Sequence, residues 1–308
     1  MEFNDPIYGT FTLPSNIQRA IAHPAFQRLY HIAQLGLAMY SPGFEGLRHT
    51  RAEHSIGTAY LAGVIGNYLH ISSEDCEIIQ MAGLLHDEGQ GPTSHSFEKV
   101  VVARHEERSQ EIARLVLQEI YDPVKISTVC YLIDPVGTPP TPLAGILRDI
   151  VSNKTCALDV DKLDYGLRDS YYTGEYRYSI GDVFHLIYSS RIITDSHGFG
   201  TWYFDPKTEP IIRSVFEHRQ HLFKTVYRTE NNLRLEAQMV RAARQLSTNF
   251  SDLDTFLKYT DQNFMHAISQ TSEGQQLLLG NCPLPEPVDN SVDQQAPELI
   301  LPKVPYYT

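Results

Sequence analysis

Leu84-Leu85-His86-Asp87 closes an apolar run that begins at Ile78, and it places an imidazole beside a carboxylate. Ser72 and Asp75 have the spacing of a helix N-cap and the third residue of its helix, so the pattern predicts a helix that ends near the His-Asp pair. A carboxylate at the end of a buried helix must be paired, protonated or bound to a metal ion. Most isolated His-Asp dipeptides lie at exposed helix ends. The remaining sequence therefore has to decide between an exposed helix end and a buried functional pair.

The composition is that of an ordinary globular protein. The 308 residues are 42% hydrophobic and 20% charged,. No apolar run approaches the roughly 20 residues of a membrane span, and the N-terminus lacks the basic start and apolar core of a signal peptide. The net charge of −12 argues against an extended nucleic-acid surface,. Four cysteines without CxxC spacing favour reduced thiols, so we expect a cytoplasmic or nuclear protein that is not secreted and binds no membrane,.

Helical patterns dominate the chain. Thr50-Arg51-Ala52-Glu53 has the spacing of a capping box and predicts a helix to about Leu69,. Residues 191–204 predict a small β-hairpin with a polar turn that contains glycine. No strand–helix alternation, GxGxxG motif or P-loop is present,. We therefore expect a mainly α fold with one small hairpin, with residues 1–271 as one domain and the Pro-rich residues 272–308 as an extended or disordered tail.

Four residues are candidate metal ligands: His54, His86, Asp87 and Asp161. They come from inner faces or ends of three predicted helices. Two imidazoles with two carboxylates suit iron, manganese or zinc better than magnesium, which prefers oxygen ligands alone. Such an ion leaves positions open for water and substrate, lowers the pKa of bound water and polarises phosphoryl oxygens. The spacing alone is equally compatible with scattered polar residues.

Further polar residues are expected beside these ligands. The segment 88–98 is rich in Gly and Pro, and we expect it to turn and bring His95 and Glu98 close to the His-Asp pair,. Asp161, Tyr165 and Asp169 are four residues apart and share one face of a predicted helix. His95 and His105 are suited to proton transfer. Three cations are suited to neutralise phosphates: Arg51, Lys162 and Arg219.

The order of His54, His86-Asp87 and Asp161 resembles the H…HD…D pattern of the HD phosphohydrolase superfamily. Other motifs resemble the sterile-alpha-motif/HD-domain dNTP triphosphohydrolases and their relatives, in the same order over roughly residues 5–230. These motifs are Asp5-Pro6-Ile7-Tyr8-Gly9, Phe26-Gln27-Arg28-Leu29, Gln34-Leu35-Gly36, Arg51-Ala52-Glu53-His54-Ser55-Ile56-Gly57, Gly91-Pro92-Thr93-Ser94-His95 and Asp159-Val160-Asp161-Lys162-Leu163-Asp164-Tyr165. The sterile-alpha-motif domain has no counterpart in this sequence.

The resemblance implies a helical HD-domain fold and a nucleotide substrate. That family cleaves a deoxynucleoside triphosphate at the α-phosphorus and releases deoxynucleoside and inorganic triphosphate. By the same resemblance, the cofactor is a divalent ion (Fe, Mn or Zn) held by the four candidate ligands, with Mg an option for the substrate phosphates. Family analogy also implies a homo-oligomer.

The resemblance assigns roles to further residues by motif. Arg51, Lys162 and Arg219 would bind phosphates, and His95 would contact the α-phosphate and the leaving oxygen as a general acid. The sugar would be bound by four residues: Gln34 and Asp169 at the 3′-hydroxyl, Tyr165 under C2′, where it disfavours a ribose 2′-hydroxyl, and Tyr227 along the sugar or base.

Two neighbouring positions depart from the family motif, which reads HD, apolar residue, Gly-His-Gly. Here Glu88 replaces the apolar residue and Gln90 replaces the histidine. Glutamine cannot carry a charge or transfer a proton at neutral pH. Glu98 stands where the family has Asp, whereas His105 is retained. We group His95, His105, Glu98 and Gln90 as the catalytic set and expect its proton relay to be altered.

Three alternatives remain open. Glu88 and Gln90 favour an HD hydrolase of another nucleotide, such as a monophosphate or a modified nucleotide. A catalytically silent nucleotide binder would keep the cations without turnover. A di-iron oxygenase of the HD type would need more His and Asp ligands. Of the remaining histidines, we expect four to be surface or core-edge residues and not ligands: His31, His49, His70 and His266.

Overall fold

The computed structural model describes residues 1–101, 104–278 and 303–307, and this part of the chain is mainly helical. Its α-helices are α1 (Ser15–Ala22), α2 (Pro24–Gln27), α3 (Arg51–Tyr68), α4 (Ser73–Leu85), α5 (His105–Leu117), α6 (Pro123–Ile133), α7 (Pro142–Val151), α8 (Val160–Thr173), α9 (Ile180–Tyr188), α10 (Glu209–Leu222), α11 (Glu230–Arg244), α12 (Leu253–Leu257), α13 (Asp261–Ser269) and α14 (Ser272–Leu278). Short 3-10 turns span Arg28–His31, Gly36–Tyr40, Ser94–Lys99 and Pro206–Thr208, and a π-helical turn spans Phe223–Tyr227. The predicted mainly α fold is confirmed.

Helices α3 and α4 pack along each other at the centre. The capping box predicted for α3 is present, since Glu53 N donates to Thr50 Oγ1 and Thr50 N donates to a Glu53 carboxylate oxygen. Gly83 lets the helices approach, because a Cβ there would lie 3.2 Å from the Thr58 carbonyl oxygen. Thr58 Oγ1 also donates to the Gly83 carbonyl, at 2.7 Å. This close contact brings His54 of α3 opposite the end of α4.

Two antiparallel hairpins flank the helices. Strands β3 (Ser190–Thr194) and β4 (Gly200–Phe204) form the predicted hairpin. The other hairpin, β1 (Glu2–Asp5) with β2 (Gly9–Thr12), adds a second two-stranded sheet to the one that was expected.

Of the described parts of the predicted tail, one is helical and the other packs beside a strand. Residues 272–278 form α14, where Gln238 of α11 donates to the Glu273 carbonyl oxygen at 3.1 Å. Residues 303–307 run beside β4: Phe204 N donates to the Pro305 carbonyl at 3.0 Å, and Tyr307 N donates to the Phe204 carbonyl at 3.1 Å. These contacts order both segments. Residues 279–302 and 308 of the predicted tail lie outside the described part.

One apolar core runs through the described chain, from Leu13 to Leu277. The C-terminal helices join it near the His-Asp motif, because Phe97 packs against Phe250, Phe256 and Phe264. Cys76, Cys130 and Cys156 are buried free thiols. Within residues 1–101, 104–278 and 303–307, no helix combines the length and apolarity that a membrane crossing requires.

Candidate active site

The four candidate metal ligands converge on one point between α3, α4 and α8. His54 Nε2 lies 3.2 Å from both His86 Nε2 and Asp161 Oδ1, and 3.6 Å from Asp87 Oδ2. His86 Nε2 lies 3.6 Å from each of those two carboxylate oxygens. Ligand atoms about 2.0–2.2 Å from one ion are separated by about 3.0–3.5 Å. The four side chains therefore fit a shared divalent cation.

The hydrogen bond of each Nδ1 fixes the ring so that Nε2 faces the candidate metal position. His86 Nδ1 lies 2.8 Å from the Gly83 carbonyl, which can only accept, so the His86 proton is on Nδ1,. His54 Nδ1 lies 2.8 Å from Asp164 Oδ2, which favours the same tautomer. The two Nε2 atoms face each other at 3.2 Å, and either a proton or a metal ion between them relieves the repulsion of their lone pairs. Although burial lowers the pKa of His54, Asp161 and Asp164 raise it to about 9, so the cluster favours positive charge.

Asp164, which was not among the predicted site residues, holds the His54 ring in place through Nδ1. Arg168 donates to both of its oxygens at 2.9 Å, and Tyr8 OH donates to Oδ1 at 2.8 Å. Burial raises the pKa of Asp164, but Arg168 and His54 lower it to about 2. The available signal was its helical spacing, three residues after Asp161 and four before Arg168.

Arg51, a predicted phosphate ligand, is buried against Asp87, a candidate metal ligand. Its guanidinium donates to Asp87 Oδ2, to Ser94 Oγ at 2.9 Å and to the Gln34 carbonyl at 3.2 Å. Burial opposes ionisation of Asp87, but Arg51 and the neighbouring imidazoles hold its pKa far below the usual range. Arg51 thus fixes Asp87 and still lines the adjacent cavity.

A cavity of about 550 Å³ adjoins the four candidate metal ligands, and its size suits a nucleotide,. The predicted site residues line it, except His54, Gln90 and Glu98. Those three contact the lining residues His86, His95 and His105. Lys162 lies on the wall with Nζ 2.9 Å from Asp159 Oδ2 and 3.8 Å from Asp161 Oδ2, and these carboxylates outweigh burial and raise its pKa.

Helix α8 and the π-helical turn supply the far wall. Arg219 Nε donates to Tyr165 OH at 2.8 Å. Tyr227 OH donates to Asp169 Oδ2, and His49 Nε2 lies 2.7 Å from Asp169 Oδ1. The expectation that His49 is a surface or core-edge residue is wrong: it is 1% exposed and contacts a predicted substrate ligand. Its partner follows 120 residues later, so local sequence carries no signal for this contact.

The predicted catalytic set forms a chain that leads away from Asp87. His105 Nε2 lies 4.0 Å from Asp87 Oδ1, and its Nδ1 lies 2.8 Å from Glu98 Oε1. The same Glu98 oxygen lies 2.9 Å from Nδ1 of His95, a largely exposed residue. His95, Glu98 and His105 also lie close enough together to hold a cation. Since both Nδ1 atoms converge on one oxygen, hydrogen bonding accounts for the arrangement. Gln90 Nε2 lies 3.5 Å from His95 Nδ1.

Glu88 is fully buried and directly follows the candidate metal ligand Asp87. Neither of its carboxylate oxygens has a partner among the described residues. Burial raises the pKa of Glu88 to about 8, against the attraction of Arg28. Arg28 donates to the backbone carbonyls of Glu88 and Gln90, at 2.6 and 2.8 Å, and so fixes the turn after the His-Asp pair.

A residue from the C-terminal helices ties two site loops together. Asp261, at the start of α13, accepts hydrogen bonds from Ala33 N at 2.8 Å and Thr93 N at 2.7 Å. Ala33 precedes Gln34, and Thr93 precedes Ser94 and His95. Thr93 has a left-handed backbone, φ 62°, which this hydrogen bond helps to hold,.

Comparison with known proteins identifies a family segment and several relatives of this chain. Residues 51–164 match the HD domain family. The chain is 31% identical over 277 residues to the deoxynucleoside triphosphate triphosphohydrolase SAMHD1 homolog of Dictyostelium discoideum, a match over 84% of this chain and 50% of that protein. It is 29% identical to deoxynucleoside triphosphate triphosphohydrolase SAMHD1 of Mus musculus, over 90% of this chain and 52% of that protein. It is 30% identical to the uncharacterized protein MG461 of Mycoplasma genitalium, over 83% of this chain and 65% of that protein.

The chain therefore contains an HD domain, as the motifs predicted. Its sequence is also close to the deoxynucleoside triphosphate triphosphohydrolases. It spans about half the length of the first two relatives. An HD domain implies a divalent metal ion, and the His and Asp donors described above fit one.

Proposed function

We propose that this protein is a metal-dependent nucleotide phosphohydrolase that converts a dNTP to deoxynucleoside and inorganic triphosphate. One observation carries the proposal: four candidate metal donors converge beside a cavity of about 550 Å³ whose lining includes Arg51, Lys162 and Arg219. The names of the relatives from Dictyostelium and mouse support dNTP as the substrate class.

In this proposal His54, His86, Asp87 and Asp161 hold iron, manganese or zinc, with Mg an option at the substrate phosphates. When bound, such an ion supplies a water molecule of lowered pKa and polarises the phosphoryl oxygens. The fixed Nδ1 protons keep both Nε2 atoms available for it,.

Arg51, Lys162 and Arg219 bind the triphosphate. All three line the cavity, and each is held by a group of the protein. Asp87 and Ser94 hold Arg51, Asp159 holds Lys162, and Tyr165 OH holds Arg219. Cations fixed in this way lose little side-chain freedom when phosphates bind, so they orient the α-phosphorus at low entropic cost.

The sugar lies against α8. Gln34 and Asp169 bind the 3′-hydroxyl, Tyr165 packs under C2′ and excludes a ribose 2′-hydroxyl, and Tyr227 lies along the sugar or base. Support comes from the cavity wall, where all four side chains are present. The side-chain oxygen of Gln34 has no partner among the described residues, so it remains available to a hydroxyl.

His95 donates the proton to the leaving 5′-oxygen. Its Nδ1 is bonded to Glu98, which leaves Nε2 as the donor. Glu98 also contacts His105, whose pKa the same carboxylate raises against the effect of burial. This pair can return a proton to His95 after each turnover. Gln90 lies beside His95, with Nε2 3.5 Å from His95 Nδ1, and transfers no proton in this scheme.

The wider context of this site is proposed with it. We place the activity in a domain of residues 1–271 that acts on a nucleotide and has no extended nucleic-acid surface. The expected homo-oligomer and the cytoplasmic or nuclear location stay predictions.

The test is product analysis with purified protein and Mn²⁺, with each dNTP and rNTP as substrate and ion-exchange separation of the products. We expect deoxynucleoside and intact triphosphate from dNTPs, with no turnover in Asp87→Ala. Asp254→Ala, on the exposed side of α12, is the matched control and should retain wild-type activity. Absence of triphosphate release from every nucleotide, in protein shown to contain metal, would contradict the proposal.

A second candidate is hydrolysis of another nucleotide, such as a monophosphate or modified nucleotide. The buried Glu88 and Gln90, which replace an apolar residue and a histidine of the family motif, favour it. Monophosphates assayed beside the triphosphates separate this candidate from a silent binder, which would bind nucleotide without turnover of any of them.

A further inference from the structure

His49 connects the two residues proposed to bind the sugar 3′-hydroxyl. Its backbone carbonyl accepts from Gln34 N at 2.9 Å, and its Nε2 lies 2.7 Å from Asp169 Oδ1. The imidazole stacks on Tyr172, with ring centroids 4.4 Å apart and planes 11° apart. Tyr172 is held in turn, since its hydroxyl donates to Glu53 Oε1 at 3.1 Å. His49 is therefore fixed through its backbone, its ring face and its ring edge.

These contacts determine what Asp169 can still bind. His49 occupies one lone pair of Oδ1, and Tyr227 OH occupies one lone pair of Oδ2. An ionised carboxylate only accepts hydrogen bonds, so the lone pairs that remain select a donor such as a hydroxyl. The terminal torsion of an aspartate is otherwise broad. With a donor on each oxygen, the carboxylate plane is fixed relative to the cavity.

We propose that His49 is a positioning residue for substrate selection: it holds the Asp169 carboxylate, and through its backbone Gln34, in the orientation that recognises the 3′-hydroxyl of a deoxynucleotide. The inference rests on the proposed function and extends it to a residue outside the cavity lining. His49 acts from behind Asp169, so its effect depends on whether the substrate carries a 3′-hydroxyl.

The test compares kcat/KM for a dNTP with kcat/KM for the matching 2′,3′-dideoxynucleoside triphosphate. His49→Phe keeps a ring against Tyr172 but removes the donor, whereas His49→Gln places an amide donor near the Nε2 position. We expect His49→Phe to lose about tenfold on the dNTP, the scale of a hydrogen bond to a charged group, and to change little on the dideoxy substrate. His49→Gln should recover part of the loss. His185→Phe, at an exposed position of α9, is the control and should change neither value.

Equal losses on the two substrates, or no loss on either, would overturn the role of His49. Thermal melts accompany each variant, and if His49→Phe does not fold, His49→Asn, whose shorter amide falls short of Asp169, takes its place. If the wild-type protein hydrolyses neither substrate, the proposed function itself fails and the inference fails with it. A failure of His49 alone leaves wild-type dNTP hydrolysis intact, so the two failures are distinguishable.

Discussion

Asp164 Oδ2 lies 2.8 Å from Nδ1 of His54, on the side of the ring opposite the candidate metal position. The carboxylate keeps the proton on Nδ1 and makes Nε2 a more basic ligand. The candidate metal site therefore depends on a residue that is not one of the four candidate ligands.

Replacement of Asp164 by Asn should weaken metal retention about ten- to a hundredfold, because a neutral amide polarises His54 less and can present a donor to Nδ1. Competition with a graded series of chelators measures the affinity. Tyr8→Phe is the control, since it removes a hydrogen bond to Asp164 Oδ1 and leaves the bond to His54 in place. Equal weakening in both variants would show that general loosening of Asp164, and not its charge, is responsible.

Gln90→His should raise turnover about tenfold, because it returns a titratable ring next to His95,. The pH–rate profile distinguishes proton transfer from a packing effect, since a new limb should appear near neutral pH in the variant only. His95→Ala should abolish turnover in both backgrounds. An unchanged rate and profile in Gln90→His would mean that the relay through His105 and Glu98 suffices without a histidine at this position.

The proposal gives Tyr165 two roles that substitutions can separate. Tyr165→Phe removes the acceptor of Arg219 and keeps the ring, so we expect KM for the triphosphate to rise several-fold with the preference for dNTP over rNTP unchanged,. Tyr165→Ala removes the ring as well, and that preference should fall. Steady-state kinetics with dATP and ATP measure both effects. A reduced preference in Tyr165→Phe would assign sugar discrimination to the hydroxyl and contradict the proposed packing role.

Glu88 should make stability depend on pH. Its folded-state pKa is about 8 and its ordinary value is 4.5, so the folded protein keeps a proton that the unfolded chain has lost. The contribution of this proton to the free energy of unfolding is complete below about pH 4.5. It disappears as the pH rises through 8, which lowers the free energy of unfolding by up to about 5 kcal/mol. Glu88→Gln stays neutral and should therefore become more stable than wild type by a margin that grows over this range.

Urea unfolding in the presence of a chelator, followed by the fluorescence of the single tryptophan, Trp202, measures that margin. Glu107→Gln, at an exposed position of α5, serves as the control and should show no such trend. A margin that is constant from pH 5 to 8 would mean that Glu88 is ionised in the folded protein.

Local sequence was enough for the elements that carry the metal ligands. The Thr50 capping box and the Ser72 cap fix where α3 and α4 begin, and the apolar run that ends at His86 fixes where α4 ends. Helical spacing predicted that Asp161, Tyr165 and Asp169 share one face of a helix, and all three line the cavity from α8. These features were predictable because they depend on residues within a few positions of one another.

The supporting contacts were not predictable in this way. His49 and Asp169 are 120 positions apart, and His54 and Asp164 are 110 apart, so neither pair leaves a periodic signal. Arg51 shows a related difficulty: its charge indicates a phosphate ligand, but its hydrogen bond to Asp87 follows only from how α3 meets the end of α4. The N-terminal hairpin was not predicted, because each of its two strands has only four residues.

Asp261 accepts hydrogen bonds from Ala33 N and Thr93 N, and these bonds make the site depend on a residue outside the HD segment. The segment that matches the HD family ends at residue 164, yet a side chain almost a hundred positions later secures the loops on which Gln34 and His95 depend. Residues 51–164 alone therefore do not contain every residue that holds the site in place. A fusion protein or minimal enzyme built from them would carry the candidate metal ligands but would lack Asp261, which holds the loops of Gln34 and His95.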